Sequence, residues 1–383
     1  MSVHAIIPLL NLLLVATSCG IEPPLHLRKA VEASVSLEMD MEFQAEMIWQ
    51  VDWETRWEYE WSTEVNGDLG YSEPEGIRMH TYTLGPDGQR VSSQTYNFMG
   101  LKAEAPVTVG VHDFLFHSNN SSVVLFRSDG ELGHVEAYTR VISSGLRESL
   151  PVRTVAQKMS VGTKADVSDP ENEPVTFQPD ELMALYDPGH VISDRPEDYE
   201  LVDGRYVVRI KGNLHPATMI YLIQVRLLNN DGRVIGSMGG AALTGVAEGT
   251  DLETGLNNQV SVSIPFDVFV NKEADPNLLG GRVLTFGIPG CNPLDDASAA
   301  AAPEGRHFLV LNITYSNSKY KNVRVDITDQ LRALPSGGVI ELELDVNDFP
   351  PDPDDPDQPA ESGGFNPVIG DWEEETGSAT IIN

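Results

Sequence analysis

The chain has 383 residues, with 58 Asp plus Glu against 25 Lys plus Arg, which gives a formal net charge of −33. This charge excludes binding to nucleic acid or to an anionic membrane through a basic surface, because both require clusters of Lys and Arg. Hydrophobic residues make up 41% of the chain, enough to form cores, and the length suggests two domains of about 150 residues each.

The N-terminal segment has the pattern of a lipoprotein signal peptide. Residues 5–15 form an apolar run that is too short to cross a bilayer as a helix, which needs about 20 residues. Small residues then precede a cysteine, so we expect residues 1–18 to be removed and Cys19 to be acylated. The first four residues contain no Lys or Arg, which leaves an ordinary buried hydrophobic N-terminus as the alternative.

Apolar residues occupy nearly every odd position from Val31 to Trp61. This period of two predicts β-structure, because the faces of a helix repeat every 3.6 residues. Fully extended, the segment would reach roughly 100 Å, so it must bend or break, near residues 44–48. Its first half is predicted to be a core strand. Its second half holds four of the five tryptophans of the chain, namely Trp49, Trp53, Trp57 and Trp61.

These tryptophans have two possible roles, since a strand would place all four on one face. If that face is covered, they belong to the core. If it is exposed, rings beside acidic residues could stack on sugar faces or bind an apolar partner. Solvent exposure separates the two roles.

Further strands are predicted on both sides of an acidic connecting region. In the first half they cover residues 77–84, 90–98, 107–117, 123–127 and 134–142, and Gly85-Pro86-Asp87-Gly88 predicts a hairpin turn. Residues 165–200 are rich in Pro, Asp and Glu and are interpreted as a connection, in which Pro179–Met183 could begin a short helix. In the second half strands are predicted at 205–211, 219–228, 260–270, 283–288, 307–315, 323–328 and 339–346. Many short strands without alternating helices favour β-sandwiches, and two of them fit the length.

The C-terminal residues 350–383 differ in character from the rest. Pro350–Asp357 alternates Pro and Asp and predicts an extended, self-repelling linker. An apolar cluster follows it, with Phe365, Val368, Ile369 and Trp372. Such a cluster beyond a solvated linker suggests a docking peptide. The alternative is a frayed terminus that packs on its own domain.

Catalytic and metal-binding motifs are scarce. The glycine-rich Gly236–Gly240 lacks the residues of a phosphate-binding loop and the spacing of a hydrolase nucleophile. There is neither a His-Glu-x-x-His nor a Cys-x-x-Cys sequence, so no metal site and no cofactor are predicted. Cys291 is interpreted as a small buried hydrophobic residue. The sequence therefore does not predict an enzyme.

The order of several weak motifs resembles the fimbrillin-like lipoproteins of Bacteroidetes, within one of their uncharacterised families. The motifs cover most of the mature chain: Pro74–Arg78, Val111–Asn120, Val123–Arg127, Glu136–Arg140, Met238–Gly249, Val325–Leu331 with Gly337-Gly338, and Gly363–Trp372. The resemblance implies an all-β fold of two tandem transthyretin-like β-sandwich domains, here 26–195 and 200–349, followed by the acidic tail. It also implies export to the outer membrane as a lipoprotein and a role at the cell surface.

In related pilins a protease removes an N-terminal segment after Arg or Lys, and the exposed groove accepts a strand from the tail of the next subunit. The resemblance makes Phe365, Val368, Ile369 and Trp372 the candidate anchors of such a tail, and Arg28 or Lys29 a candidate cleavage site. The leading hypothesis is a non-catalytic pilus or adhesion subunit, or an accessory, whose partners are other pilin-like subunits. The alternative is a lipid-anchored binding module that binds a glycan through the tryptophan-rich segment.

Overall fold

The computed structural model describes residues 33–41, 53, 55–128, 130–142, 173–202, 205–237, 240–271, 274–295, 297–298, 301, 303 and 305–350. Strands dominate this part of the chain, which confirms the all-β prediction. The first ten are β1 (Ala33–Met41), β2 (Gly76–Leu84), β3 (Arg90–Met99), β4 (Lys102–Val107), β5 (Gly110–Ser118), β6 (Val124–Ser128), β7 (Val135–Thr139), β8 (Met183–Ile192), β9 (Glu200–Val202) and β10 (Arg205–Pro216).

The next ten strands are β11 (Met219–Leu228), β12 (Val234–Gly236), β13 (Ala241–Ala247), β14 (Gly249–Asp251), β15 (Ser261–Phe266), β16 (Val268–Asn271), β17 (Asp275–Thr285), β18 (Phe308–Tyr315), β19 (Tyr320–Asp326) and β20 (Gly338–Asp345). The helices are short: α1 (Thr63–Asn66), α2 (Thr328–Ala333) and 3-10 turns at Pro196–Asp198 and Val346–Asp348.

The turn between β2 and β3 forms as its residues predict. The Gly88 N–H donates to the Gly85 carbonyl at 2.9 Å, and the Gly85 N–H donates to the Gln89 carbonyl at 2.8 Å. Gly88 has a φ of 76°, a left-handed conformation that glycine adopts without a steric penalty. The predicted hairpin is therefore confirmed.

The described residues up to Pro216 are called the first half from here on, and those from Met219 the second half. The first half forms a sandwich from one bent sheet with the order β3-β2-β5-β8-β10-β1-β4, to which β9 adds beside β10. Strands β8 and β10 share only the pairs Ala184 with His215 and Met183 with Pro216. On either side of this junction, β5 and β10 contribute side chains to a common core, among them Phe114, Phe116, Ile210 and Leu214. The two parts of the sheet therefore face each other.

A three-stranded sheet of β6, β7 and β14 covers the outer face of β2, β5 and β8. Tyr82 and Leu115 on that face pack with Val135 and Ala137 of the small sheet. Strand β14 comes from the second half of the chain and pairs with β7. The two halves are therefore joined by backbone hydrogen bonds as well as by the chain itself.

The second half is a sandwich of two sheets, β16-β17-β11-β20 and β12-β18-β13-β15, with β19 beside β18. Its core contains Tyr221 and Ile223 from β11 and Leu309 and Leu311 from β18, all fully buried. Cys291 belongs to the same core, and burial raises the pKa of its thiol. The interpretation of Cys291 as a small buried hydrophobic residue is confirmed.

Part of the predicted connecting region is a strand, and the short helix predicted at Pro179–Met183 is wrong. Met183 begins β8, which lies between β5 and β10. Before it, the Asp180 carboxylate accepts hydrogen bonds from the N–H groups of Ser122 and Val123, at 2.6 and 2.8 Å. Asp180 therefore orders the turn before β6 through a contact that a local sequence pattern cannot show.

The first and last described strands occupy equivalent positions beside consecutive strands. β1 pairs in parallel with β10, and β20 pairs in parallel with β11. Only Ala217 and Thr218 separate β10 from β11. The division of the chain near residues 195–200 stays a proposal. Strands β9 and β10 come after this division in the sequence, yet they pair within the sheet of the first half.

Candidate functional site

Strand β1 lies between β10 and β4 and pairs with both. It runs parallel to β10 from Ala33 beside Tyr206 to Met41 beside Leu214, without a register shift. On its other side it pairs antiparallel with β4, and among the described strands β1 is the one that joins β4 to the sheet. If β1 left its place, it would therefore expose unpaired backbone groups on two strands.

The register of β1 matches the core face of β4. The pairs of alternate positions are Ala33 with Val107, Val35 with Ala105, and Leu37 with Ala103. Val107 and Ala105 are buried in the core of the first half. The backbone register therefore sets these positions of β1 opposite residues of β4 that belong to this core or border it. The strand predicted at the start of the Val31–Trp61 segment is confirmed.

Several predicted site residues lie outside the described part of the chain. They are Cys19, Arg28, Lys29, Trp49, Phe365, Val368, Ile369 and Trp372. The structure therefore does not test the predicted acylation, the cleavage site or the docking tail.

The strand predicted through the later tryptophans is wrong. Residues 53, 55 and 56 are helical, and the Trp57 N–H donates to the Trp53 carbonyl at 3.0 Å. An interval of four places side chains on one face of a helical turn as well as of a strand, so the spacing alone could not separate the two. Trp53, Trp57 and Trp61 are half-buried and pack on one cluster, which consists of Leu69 and four residues of the second half: Ile220, Leu222, Leu284 and Val339.

Specific contacts fix this segment to the sheet of β11 and β17. The Gln224 side chain accepts hydrogen bonds from the N–H groups of Glu58 and Tyr59, at 2.6 and 3.1 Å. The ring of Tyr59 covers Gly280, where an added Cβ would lie 2.3 Å from the ring. Glycine at position 280 therefore makes room for the ring, and the tryptophan-rich segment packs against the second half.

One tryptophan of this segment also lines a cavity of about 620 Å³. Trp61 meets Phe269 edge to face with ring centroids 6.1 Å apart, and both residues line the cavity with Phe177. The indole N–H of Trp61 donates to the Gly67 carbonyl at 2.8 Å. The cavity therefore has aromatic walls, one of which is held by a hydrogen bond.

A charged cluster that the sequence analysis missed connects the two halves. Arg90 on β3 donates two hydrogen bonds to Glu253, at 3.0 and 2.7 Å, and a third to Asp113, at 3.2 Å. Its guanidinium lies 3.9 Å from the centroid of the Tyr82 ring. The Glu253 side chain is 1% exposed and that of Arg90 is 13% exposed. Burial alone lowers the pKa of Arg90, but its bonds to Glu253 outweigh burial, so the pKa is raised.

Two further findings concern membranes and metals. Across the residues that the structure describes, no helix combines the length and apolar character needed to cross a bilayer. The same residues bring together no group of three or more His, Cys, Asp or Glu side chains that could hold a metal ion.

Comparison with known proteins gives solved structures of low similarity. No family model matches the sequence, and no curated protein matches it. A candidate adhesin from Bacteroides ovatus is 15% identical, with a TM-score of 0.47 over 82% of this chain and 93% of that one. The fimbrial anchor protein Mfa2 from Porphyromonas gingivalis is 12% identical, with a TM-score of 0.39 over 82% and 90%. A second candidate adhesin, from Bacteroides thetaiotaomicron, is 9% identical, with a TM-score of 0.41 over 83% and 94%.

Proposed function

We propose that this chain is a non-catalytic surface subunit or accessory of a pilus or adhesion assembly, which associates with other chains by β-strand addition. The observation that supports this proposal is the position of β1. It pairs with β10 over Ala33–Met41 and with β4 over Ala33–Glu38, and among the described residues it alone joins β4 to the sheet. A strand with these properties can be replaced by an equivalent strand from another chain, because main-chain hydrogen bonds supply the affinity.

The candidate donor is the C-terminal tail. In an extended conformation, Phe365 and Ile369 would share one face and Val368 and Trp372 the other, since side chains alternate along a strand. The proline- and aspartate-rich linker before the tail would keep it away from its own negatively charged domain. Acylation of Cys19 would bring the uncut protein to the outer membrane, where such an assembly is built, and a cut after β1 would then separate the subunit from this anchor.

Cleavage has to release β1 if its place is to become free. A cut at Arg28 or Lys29 would leave β1 attached, because β1 begins at Ala33. The next basic residue is Arg56, which donates to Glu341 through Nε at 2.9 Å. We therefore propose that the protease cuts after Arg56, rather than after Arg28 or Lys29, and that this cut opens the groove between β10 and β4.

We expect purified mature protein to form ladders on a denaturing gel after treatment with an arginine-specific protease. Arg56→Gln should abolish the ladder, because the cut chain would keep β1. Deletion of residues 360–383 should also abolish it, because the donor strand would be missing. Arg28→Gln with Lys29→Gln should leave the ladder unchanged, as should Arg195→Gln, an exposed arginine elsewhere. A ladder that persists without residues 360–383 would refute the donor role of the tail.

A second candidate function is a glycan-binding module that uses the tryptophan-rich segment. The cavity lined by Trp61 and Phe269 favours it, because aromatic rings stack on the apolar faces of sugars. Under the leading proposal, these tryptophans only attach the segment to the second half.

Trp61→Ala distinguishes the two candidate functions, because Trp61 both lines the cavity and packs on the neighbouring hydrophobic cluster. If the ring serves packing, the variant should lose about 2–3 kcal/mol of unfolding free energy in urea and keep the glycan-array profile of the unaltered chain. A folded variant that loses glycan binding would favour the second candidate.

A further inference from the structure

A separate cavity of about 780 Å³ lies in the second half, beside the N-terminal end of β18. Its lining includes His307, Arg332, Gly245, Ile288 and Pro303. None of these residues belongs to β1, to the tail or to the tryptophan-rich segment. The volume is in the range of about 300–1,000 Å³ that is typical of small-molecule sites.

His307 is a buried side chain with unmet hydrogen-bonding capacity. The residue is 1% exposed, and within the described part of the chain its ring nitrogens meet the Gly245 backbone without a well-aligned hydrogen bond. Burial lowers the pKa of its imidazole to about 4, so the ring is neutral at pH 7. A neutral imidazole offers one N–H donor and one nitrogen acceptor. Leaving such groups without good hydrogen bonds is unfavourable, so the protein holds this ring at a penalty.

The backbone around His307 keeps the ring in place. Its N–H donates to the Thr328 hydroxyl at 2.9 Å, and its carbonyl accepts from the Ile327 N–H at 3.0 Å. Gly245 lies at a bulge between β13 and β15, and a Cβ there would be 2.9 Å from Nδ1 of His307. With a φ of 78°, position 245 also disfavours any side chain. The bulge therefore leaves room for the imidazole at the cavity wall.

Arg332 adds a charged donor to the same cavity. One terminal N–H of its guanidinium donates to the Pro303 carbonyl at 2.6 Å, which positions the group. Its Nε–H is buried and has no partner among the described residues. A guanidinium N–H pairs best with a carboxylate or another oxyanion. Two carboxylates, Glu173 and Asp329, also line the cavity, and that of Glu173 already accepts hydrogen bonds from the Gly245 N–H and the Ser263 hydroxyl, both at 3.0 Å. The more distant part of the −33 charge does not prevent anion binding, since charges more than about 8 Å away are largely screened at physiological ionic strength.

These unmet groups specify the chemistry of a ligand. The Nε–H of Arg332 calls for an anionic oxygen, and the imidazole of His307 calls for a hydroxyl, which can both accept and donate. The apolar side chains of Ile288, Pro289 and Pro303 line the cavity as well and suit the C–H face of a sugar ring. We propose that this cavity binds an acidic sugar of the hexuronate type, with its carboxylate on Arg332 and a ring hydroxyl on His307.

Isothermal titration of the full mature chain tests this proposal with D-glucuronate and D-galacturonate against D-glucose and D-galactose. We expect at least one hexuronate to bind saturably and at least about 10-fold more tightly than its neutral counterpart, because only the hexuronate supplies a charged hydrogen bond. Arg332→Gln should weaken hexuronate binding by at least about 10-fold. Circular dichroism shows whether each variant is folded.

Two variants serve as controls for the titration. Arg324→Gln removes an arginine on β19 that lies 3.7 Å from the Phe308 ring, outside the cavity lining, and should keep full affinity. Trp61→Ala should keep it too, so that failure of the second candidate function would not affect this site. The proposal is overturned if neither hexuronate binds, if sulfate binds as tightly as the hexuronate, or if folded Arg332→Gln binds like the unaltered chain.

Discussion

Replacing Arg90 by methionine should lower the free energy of unfolding by about 3–5 kcal/mol, as measured by urea denaturation. The variant keeps most of the volume of the side chain but leaves the Glu253 carboxylate without its bidentate partner. Because the Glu253 side chain is 1% exposed, water cannot replace the lost hydrogen bonds. Nδ1 of His134, 3.1 Å from Oε2 of Glu253, would be the remaining partner of this carboxylate. A buried charge that loses its bidentate partner is among the most destabilising changes that a single substitution can cause.

Arg127→Met is the matched control for Arg90→Met. Arg127 also joins the two halves, because it pairs with Glu136 of the first half at 2.7 Å and with Glu248 of the second half at 3.1 Å. Its side chain, however, is 45% exposed. Exposed ion pairs contribute at most about 1 kcal/mol, so this loss should be small. Adding Glu253→Gln to Arg90→Met should recover at least about 1 kcal/mol, because it removes the unpaired charge. Equal losses in Arg90→Met and Arg127→Met would refute the role of burial.

Lowering the pH from 7 to 5 should destabilise the protein through a pair of stacked histidines. Nε2 of His80 and Nε2 of His117 are 3.2 Å apart, and His117 is fully buried. Nδ1 of His117 lies 2.8 Å from the Ser118 carbonyl, which assigns the proton of a neutral ring to that nitrogen. Its Nε2 is then the acceptor for the Nε2–H of His80. Protonation of His117 would set two N–H groups against each other.

The direction of the pH effect follows from the pKa values. Burial lowers the pKa of His80 to about 4 and that of His117 to about 3, and the nearby charge of Arg78 acts in the same direction. In the unfolded chain a histidine has a pKa of about 6.5, so the unfolded state takes up protons first as the pH falls. The contribution of these two neutral histidines to the free energy of unfolding is therefore fully present above about pH 6.5 and is lost as the pH falls towards 3. At pH 5 the loss from His117 alone is about 2 kcal/mol.

His117→Gln separates this loss from the titration of the many carboxylates. The variant should be less stable than the parent at pH 7, but its loss between pH 7 and pH 5 should be smaller by about 2 kcal/mol. Urea denaturation at both pH values provides the measurement. An unchanged loss in His117→Gln would show that the histidine pair does not titrate as proposed.

Local chemistry explains which strands could be predicted from the sequence. The hairpin of β2 and β3 was predictable because Gly85 and Gly88 sit where its turn requires them. Strand β11 has the predicted bounds, 219–228, because its apolar run is continuous. Strand β13 was missed, since all of its residues are buried and many are small, so no alternation marks it. Strand β8 was missed because the residues that fix its start lie far away in sequence.

The candidate sites were predictable only in part, for a similar reason. The alternation of β1 is visible in the sequence, but its parallel pairing with β10 joins positions more than 170 residues apart, such as Ala33 and Tyr206. Glu253 is 163 residues from Arg90, and neither position carries a local motif. The cavity at His307 combines a bulge in β13 with the start of α2. Only the tertiary structure can bring such residues together.

The parallel pairs at the two ends of the described chain determine how it would respond to pulling. A tensile force applied between Ala33 and Asp345 passes from β1 to β10, through Ala217 and Thr218 to β11, and then to β20. In each of the two pairs the force acts parallel to the strand axes and at opposite ends of the two strands. The hydrogen bonds between the strands are therefore loaded together in shear, and they do not break one after another. Resistance to detachment is then a property of the topology, and it increases with the length of each pair.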